Sequence, residues 1–495
     1  MKNFIYMALF LFVFFGCQGK SYSQLTSILE EGSKPVSLMG PLLVANEDYG
    51  VSAEVSWERF TRDLRYFKNL GVEAVTTDVW WGLTELVDDE FDFGYYRAIA
   101  GEVTRAGLKW IPILSFHQCG GNVGDECDVP IPSWLGAKYQ REAEEQGMSV
   151  DDLLFYRSET GGLNREAISV WGSAFAEEEF RSFMFAFQEA FSDYANHIPE
   201  VNISLGPAGE LRFPSYNAVD GWSYPERGFF QASSEIAIRN FRESMLDIYG
   251  NLDGIQKTWG YELDSMGQIL PPSSDELGDL FIGGKSPDNR FLMDFLTWYQ
   301  SSLLQHGSRL LDAATDVFHD VSSPFILAKI GAKIPGIHWR IGSVDASENI
   351  VMDGDRAAEL TSGLISARSL ARRDSSRGYR EILALFKNAD TASRTRGGAG
   401  IVLHFTALEM NNQHTVSEEK SLAKELVGWV AEEASRQSLE IKGENALSGN
   451  LFQLSAWENL EQNLQAYSYS GITLLRMIKI EGTALELFRA FMNQR

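Results

Sequence analysis

The feature that most restricts the fold of this chain is an alternation of short apolar runs with amphipathic segments. Each run is β-branched or apolar and is followed by polar residues; the eight runs are Ser37–Val44, Val72–Trp81, Trp110–Phe116, Asn202–Leu205, Phe325–Ile330, Gly400–Thr406, Leu439–Gly443 and Gly471–Arg476. Helical periodicity occupies the intervals, as in Trp57–Leu70, Tyr95–Ala106, Phe180–Ala195, Phe291–Val317, Arg380–Lys387 and Glu418–Ser435. Eight strands alternating with helices predict an α/β fold, the (β/α)8 barrel, rather than an open sheet.

Two intervals are far longer than a βα connection requires. They follow the third and fourth predicted strands and cover roughly 118–200 and 207–324. We expect them to form loops and helices over one face of the barrel. No linker or shift in composition divides the rest of the chain, so 37–495 is predicted to be one catalytic domain.

The first 17 residues have the architecture of an export signal. Lys2 is followed by an unbroken apolar run, Ile5–Phe15, which is too short to span a bilayer comfortably. The run ends in Gly16-Cys17, which resembles a bacterial lipoprotein cleavage site with Cys17 as the lipidated residue. Residues 18–36 are polar, as expected of a tether. We expect an exported lipoprotein, periplasmic or at the cell surface; the alternative is a secreted protein with an ordinary signal peptide.

The charge of the chain restricts its partners. It has 68 acidic and 43 basic residues and a formal net charge of −25. Such a field repels phosphate backbones and anionic lipids, which argues against a nucleic-acid partner and leaves a lipid anchor as the route to a membrane. A neutral carbohydrate substrate is compatible with this charge.

Two cysteines remain after Cys17, namely Cys119 and Cys127. Export permits a disulfide, and the glycines between the two residues allow the short loop to bend. We expect a bridge, with two free thiols as the alternative.

The residues that terminate the predicted strands carry chemistry. In (β/α)8 barrels the active site is assembled at the carboxyl ends of the strands. The polar residues found there are Asp78, His117, Glu210, Lys333, His338, Thr406, Glu444 and Arg476. Two carboxyl groups, one protonated and one ionised, are what glycoside hydrolysis needs. Position alone leaves structural roles open, such as a loop glutamate paired with Arg212 or a helix cap.

Six sequence blocks resemble the β-amylase family, glycoside hydrolase family 14, from about residue 38 to 495. They are DVWWG at 78–82, SFHQCGGNVGD at 115–125, GPAGELRFPSY at 206–216, KIPGIHW at 333–339, FTALEM at 405–410 and ENAL at 444–447. The GWSYP segment at 221–225 and the spacing of the two cysteines resemble the bacterial branch. Six such blocks in family order make chance agreement negligible.

The resemblance implies removal of maltose from the non-reducing ends of starch, maltodextrin or glycogen-like α-1,4-glucans, with inversion to the β anomer. Glu210 is then the general acid and Glu444 the general base, and no cofactor is required. Residues 120–125 resemble a lid that carries Asp125 over the sugar. The positions that match glucose-binding residues are Asp78, His117, Asp125, Lys333, His338, Trp339, Thr406, Asn445, Ala446 and Arg476. Thr406 matches an inner-loop threonine that supports ionised Glu210, and Glu409 is expected to support the same loop.

Calcium is the one metal that the resemblance suggests. Glu85, Asp89 and Glu179 lie near positions that bind calcium in bacterial relatives, and Glu90 is close by. Ser182 stands where another carboxylate is expected, so the calcium site is incomplete and the sequence favours a solvated acidic surface.

Two other functions remain open at this point. One is a retaining (β/α)8 glycosidase, whose carboxyl groups would be only about 5–5.5 Å apart. The other is a catalytically weak glucan-binding surface lipoprotein. Binding alone requires neither an acid nor a base, so the presence of both Glu210 and Glu444 argues against it.

Overall fold

The computed structural model describes residues 34–120, 127–273, 276–277, 289–367, 375–412 and 419–495. Within these residues, eight parallel strands close into a barrel in sequence order. The strands are β1 (Val36–Met39), β2 (Ala74–Trp80), β3 (Lys109–Ser115), β4 (Glu200–Ile203), β5 (Lys329–Ile334), β6 (Ile401–Phe405), β7 (Glu440–Glu444) and β8 (Tyr469–Leu474). Pairing of β1 with β8 completes the ring. The predicted (β/α)8 barrel is therefore confirmed.

Helices surround the barrel and fill its long connections. The described α-helices are Trp57–Asn69, Trp81–Thr84, Gly94–Arg105, Trp134–Glu145, Val150–Leu154, Glu177–Ala190, Glu235–Tyr249, Leu252–Trp259, Arg290–Phe318, Ala357–Thr361, Arg380–Thr395, Ala423–Arg436, Leu454–Ala466 and Gly482–Asn493. The first of these helices is capped by Ser56, whose hydroxyl oxygen accepts a hydrogen bond from the backbone amide of Arg59. Among the described helices, none is both long and apolar enough to cross a membrane.

The chain divides into two units. The large one, Pro35–Gln494, contains the barrel. The small one consists of Met1–Lys34 and Arg495, and within its described part the Arg495 guanidinium donates to the Lys34 carbonyl oxygen.

The two long connections pack together around the ring of Phe213. Tyr156 and Trp171, both from the first connection, contact the ring of Phe213 at centroid distances of 5.9 and 5.8 Å. Tyr299, from the helix that ends the second connection, stacks on the same ring at 3.8 Å. These aromatic contacts anchor the segment that carries Glu210.

The fifth strand lies four residues later than the sequence predicts. The apolar run from Phe325 to Ile330 suggests a strand, but β5 begins at Lys329, and Leu327 is 83% exposed. Alternate residues of β5, namely Lys329, Gly331 and Lys333, interrupt its hydrophobicity. Lys329 and Lys333 contact β7, which does not neighbour β5 in the sheet, so these side chains face the barrel interior. Lys333 is therefore a strand residue and not a loop residue.

Candidate active site

One cavity of about 520 Å³ opens where the carboxyl ends of the strands meet. Its volume suits a small ligand, and its walls combine apolar surface with a few polar groups, as in carbohydrate and other ligand sites. It gathers most of the residues predicted to act on sugar: Asp78, His117, Glu210, Lys333, His338, Trp339, Thr406, Glu444, Asn445, Ala446 and Arg476. Asp125 lies outside the described residues. Positions that are up to 398 residues apart in the chain thus share one wall.

Glu210 is held by the backbone of the loop after β4. The loop pairs with β5 through a bridge between Glu210 and Lys333, and the amide of Leu211 donates to the Lys333 carbonyl oxygen at 2.8 Å. The Arg212 guanidinium donates to Oε2 of Glu210 at 2.9 Å. Burial raises the pKa of Glu210 above its ordinary value, although Arg212 and Lys333 oppose that rise. Glu210 is therefore the carboxyl group of the pair that more readily keeps its proton.

Glu444 is the last residue of β7, and its surroundings favour the ionised form. The Lys333 ammonium lies 3.0 Å from its Oε2, and Nδ1 of His404 lies 2.9 Å from its Oε1. Burial by itself would raise the pKa of Glu444, but these two groups outweigh it and lower the pKa to about 2. Glu444 is thus a carboxylate over the whole physiological range.

The unequal environments divide acid from base. A pair of carboxyl groups whose surroundings push their pKa values apart supplies one proton donor and one proton acceptor at the same pH. In this cavity the pKa of Glu210 is raised and that of Glu444 is lowered, which suits Glu210 to donate a proton and Glu444 to accept one. The arrangement suits the protonation of a leaving oxygen together with the activation of a water or an attack on carbon.

Two histidines of the cavity are neutral. Burial lowers the pKa of His117 to about 3, helped by the cations Lys333, Arg212 and Arg476, and burial lowers that of His338 to about 4. Nδ1 of His117 lies 2.8 Å from the Ser204 hydroxyl, and Nδ1 of His338 lies 2.7 Å from that of Ser421. A neutral imidazole in such a setting can exchange hydrogen bonds with sugar hydroxyls without adding charge.

Asn445 and Arg476 are linked through the backbone. The Asn445 side-chain amide exchanges two hydrogen bonds with the backbone of Leu475, at 2.7 and 3.1 Å. The next residue, Arg476, donates to the Gly40 carbonyl oxygen, and its guanidinium lies 3.6 Å from Oδ2 of Asp78. Asn445 therefore fixes the backbone that directly precedes Arg476.

Thr406 lines the cavity, and its hydroxyl accepts the amide proton of Gly336 at 2.7 Å. Glu409, from the same sequence block, is buried behind the cavity. Its two carboxylate oxygens accept the amide protons of Ala446 and Leu447, both at 2.9 Å. Glu409 therefore supports the segment after Glu444, whereas the sequence predicts that it supports the inner loop that carries Thr406.

An aromatic wall extends the cavity beyond the predicted residues. Tyr216, Trp222 and Tyr224 have ring centroids 5.6, 5.8 and 5.6 Å from Trp339, and all of them line the cavity. The indole of Trp339 is fixed by donation to the Glu226 carbonyl oxygen. Three of these four residues were not singled out from the sequence, although they lie in the blocks 206–216 and 221–225.

Three charged residues near Glu444 are also not predicted from the sequence. The selection of polar residues at the ends of strands (the strand-end criterion) does not include them, because they lie within strands. His404 contacts both Glu444 and Glu200, and Lys442 pairs with Glu200. For Lys442 the signal that could have revealed it is a charged residue at every second position of β7, Glu440, Lys442 and Glu444.

The sequence predicts that the cysteines form a disulfide and a lipid-attachment site. Cys119 and Cys127 form a disulfide with a Cα–Cα distance of 5.5 Å, as expected from the sequence. Cys17 lies outside the described residues.

Two of the three calcium candidates, Glu85 and Asp89, lie together. Glu85 and Asp89 lie with Asp88, their ligand oxygens within 4.8 Å of one another, and Glu85 accepts two N–H groups at 2.6 and 3.0 Å. Glu179 lies on the far side of Lys138, whose ammonium donates to Asp88 and to Glu179 at 2.8 Å each. The positive charge between Asp88 and Glu179 is therefore supplied by a lysine.

Residues 37–493 match the model of glycosyl hydrolase family 14. The chain is 37% identical over 443 residues to the Beta-amylase of Cytobacillus firmus, covering 89% of this chain and 81% of that protein. It is 38% identical to the Beta/alpha-amylase of Paenibacillus polymyxa over 89% of this chain, but spans only 32% of that longer protein. The crystal structure of the catalytic domain of β-amylase from Paenibacillus polymyxa superposes with a TM-score of 0.75 and 35% identity, over 92% of this chain and 97% of that one.

Proposed function

The chain belongs to glycosyl hydrolase family 14, and on this premise we propose that it releases β-maltose from the non-reducing ends of α-1,4-glucans. It is a glycoside hydrolase of the β-amylase type. The observation that carries the proposal is the unequal pair in one cavity, with the pKa of Glu210 raised by burial and that of Glu444 lowered to about 2. Soluble starch, maltodextrin and glycogen-like chains are the proposed substrates.

The two glutamates act on opposite sides of the scissile bond in this proposal. Glu210 gives its proton to the leaving oxygen, while Glu444 removes a proton from the water that attacks the anomeric carbon. The attack inverts that carbon, which requires the two carboxyl groups to be about 6.5–9.5 Å apart so that the water fits. The aromatic wall around Trp339 presents apolar faces on which sugar rings pack.

Product analysis with maltoheptaose tests the proposal. We expect maltose in the β form at the earliest times, observed by proton NMR, followed by slow mutarotation. The Glu444→Gln protein is the matched blank, because its cavity is retained while the base is removed. Initial α-maltose would instead support a retaining glycosidase, and binding without any product would support a glucan-binding protein.

The environment of the chain is also a proposal. The signal-like residues 1–17 support export, and Gly16-Cys17 supports a lipid anchor as the attachment to a membrane. No metal enters the proposed chemistry, and the Lys138 ion pairs support a fold that is independent of calcium.

A further inference from the structure

Charged side chains occupy the barrel interior below Glu444, where branched apolar residues ordinarily fill a (β/α)8 barrel. The ring of His404, on β6, lies between two carboxylates: Nδ1 is 2.9 Å from Glu444 on β7, and Nε2 is 2.6 Å from Glu200 on β4. Strands β4 and β6 are separated by β5, so the contact between His404 and Glu200 crosses the interior.

The charges along this line alternate in sign. Lys442 pairs with the second oxygen of Glu200, and at the other end Lys333 pairs with the second oxygen of Glu444. Glu200, His404 and Glu444 are 1%, 2% and 5% exposed. A buried charge is tolerated only when it is paired, so each member of the row depends on its neighbours.

The backbone makes room for the buried carboxylate. A Cβ atom on Gly331 of β5 would lie 2.6 Å from Oε1 of Glu200 and 1.8 Å from Oδ1 of Asn202. A side chain at this position would therefore displace Glu200 from His404. Gly331 thus leaves the space that the side chains of Asn202 and Glu200 occupy.

Hydrogen-bond chemistry determines the protonation of His404. An ionised carboxylate only accepts hydrogen bonds, so a ring between two carboxylates must donate from both nitrogens. A neutral imidazole has a single N–H, whereas the imidazolium has two. The pKa of His404 is raised by Glu200 and Glu444 although burial alone would lower it.

We propose that Glu200, backed by Lys442, is a positioning residue that keeps His404 doubly protonated, and that His404 thereby keeps Glu444 ionised and oriented. The inference rests on the proposed role of Glu444 as the base. The other charged groups that act on Glu444 are Lys333 from β5 and Glu210 from the loop after β4. Neither of them contacts Nε2 of His404. Among the described residues, only Glu200 contacts this atom.

The first experiment measures the protonation of His404 directly, by ¹⁵N NMR of the histidine-labelled wild type at pH 7. His404 is assigned by the disappearance of its signals in His404→Gln. We expect both ring nitrogens to carry protons, with the chemical shifts of an imidazolium. A neutral ring would overturn the proposal. This readout does not depend on activity, so it separates failure of this inference from failure of the proposed hydrolysis.

The second experiment compares the pH dependence of kcat/KM on maltoheptaose. In Glu200→Gln the Nε2 atom of the ring no longer faces a carboxylate, so His404 becomes neutral, the pKa of Glu444 rises and the acid limb moves upward by about one pH unit. Glu440→Gln is the matched control, because the Lys329–Glu440 pair also links β5 to β7 across the interior, at the opposite end from the cavity. We expect the acid limb of Glu440→Gln to stay at the wild-type pH. If the acid limb of Glu200→Gln also stays there, the proposal is overturned.

Discussion

The ammonium nitrogen of Lys333 lies 3.0 Å from Oε2 of Glu444, while the main chain of the same lysine pairs with the loop that carries Glu210. One residue of β5 therefore stabilises the ionised base and fixes the position of the acid. Its charge also acts on both carboxyl groups, since it lowers the pKa of Glu444 and opposes the raised pKa of Glu210.

Replacement of Lys333 by methionine should move the whole pH profile upward. The base must be ionised, so activity is lost as the pH falls through the pKa of Glu444, and the acid must be protonated, so activity is lost as the pH rises through that of Glu210. Without the cation both pKa values rise, each by about one unit. The measurement is kcat/KM against pH, with Lys329→Met as the control from the other end of the strand. Limbs that move in opposite directions would contradict the shared role.

Amide substitutions should separate the two glutamates. A general acid is needed in proportion to how poorly the leaving group departs. Glu210→Gln should lower maltodextrin hydrolysis by about 10²–10⁴-fold and spare a maltosyl fluoride in part. Glu444→Gln should impair both substrates, because the attacking water is no longer activated. Initial rates on the two substrates provide the test, and full activity of Glu444→Gln would exclude it as the base.

Calcium removal should leave the fold unchanged, because Lys138 supplies the positive charge between Asp88 and Glu179. We expect EGTA to leave the thermal unfolding midpoint of the wild type within error. Lys138→Met leaves the buried Glu179 carboxylate without its cation and should lower the midpoint by roughly 2 °C. Differential scanning fluorimetry measures both effects, with Arg141→Met on the exposed face of the same helix as a control. A large fall on addition of EGTA would show that a metal stabilises the protein.

The disulfide between Cys119 and Cys127 should leave no titratable thiol in a protein that lacks Cys17. We expect no reaction with a thiol reagent in denaturant before reduction and two reactive thiols afterwards. Mass spectrometry of the alkylated peptides identifies the residues. Two thiols before reduction would contradict the bridge without affecting the catalytic proposal.

The lipid anchor can be tested by Cys17→Ser. Without the thiol no lipid can be attached, so the protein should move from the membrane fraction to the soluble fraction or remain unprocessed. Fractionation and intact mass of the product are the measurements. The same distribution and processing in wild type and variant would leave a plain export signal.

The strand-end criterion selected residues that the structure brings to one cavity, as for Glu210, Glu444 and Arg476. It misplaced β5, because the exposed Leu327 belongs to an apolar run while Lys329 and Lys333 belong to the strand. Hydrophobicity marks a strand only when its inward side is apolar. In this barrel the inward side of β5 is charged.

The sequence by itself predicted the barrel, because strand periodicity is a local property of a chain, and its family resemblance predicted the two glutamates and most of the residues that line the cavity. Only the tertiary structure showed why the two glutamates differ in pKa and which groups hold Glu444 ionised. Those properties depend on burial and on charges from distant strands: His404 and Glu200 are 204 residues apart, and their 2.6 Å contact exists only after the barrel closes.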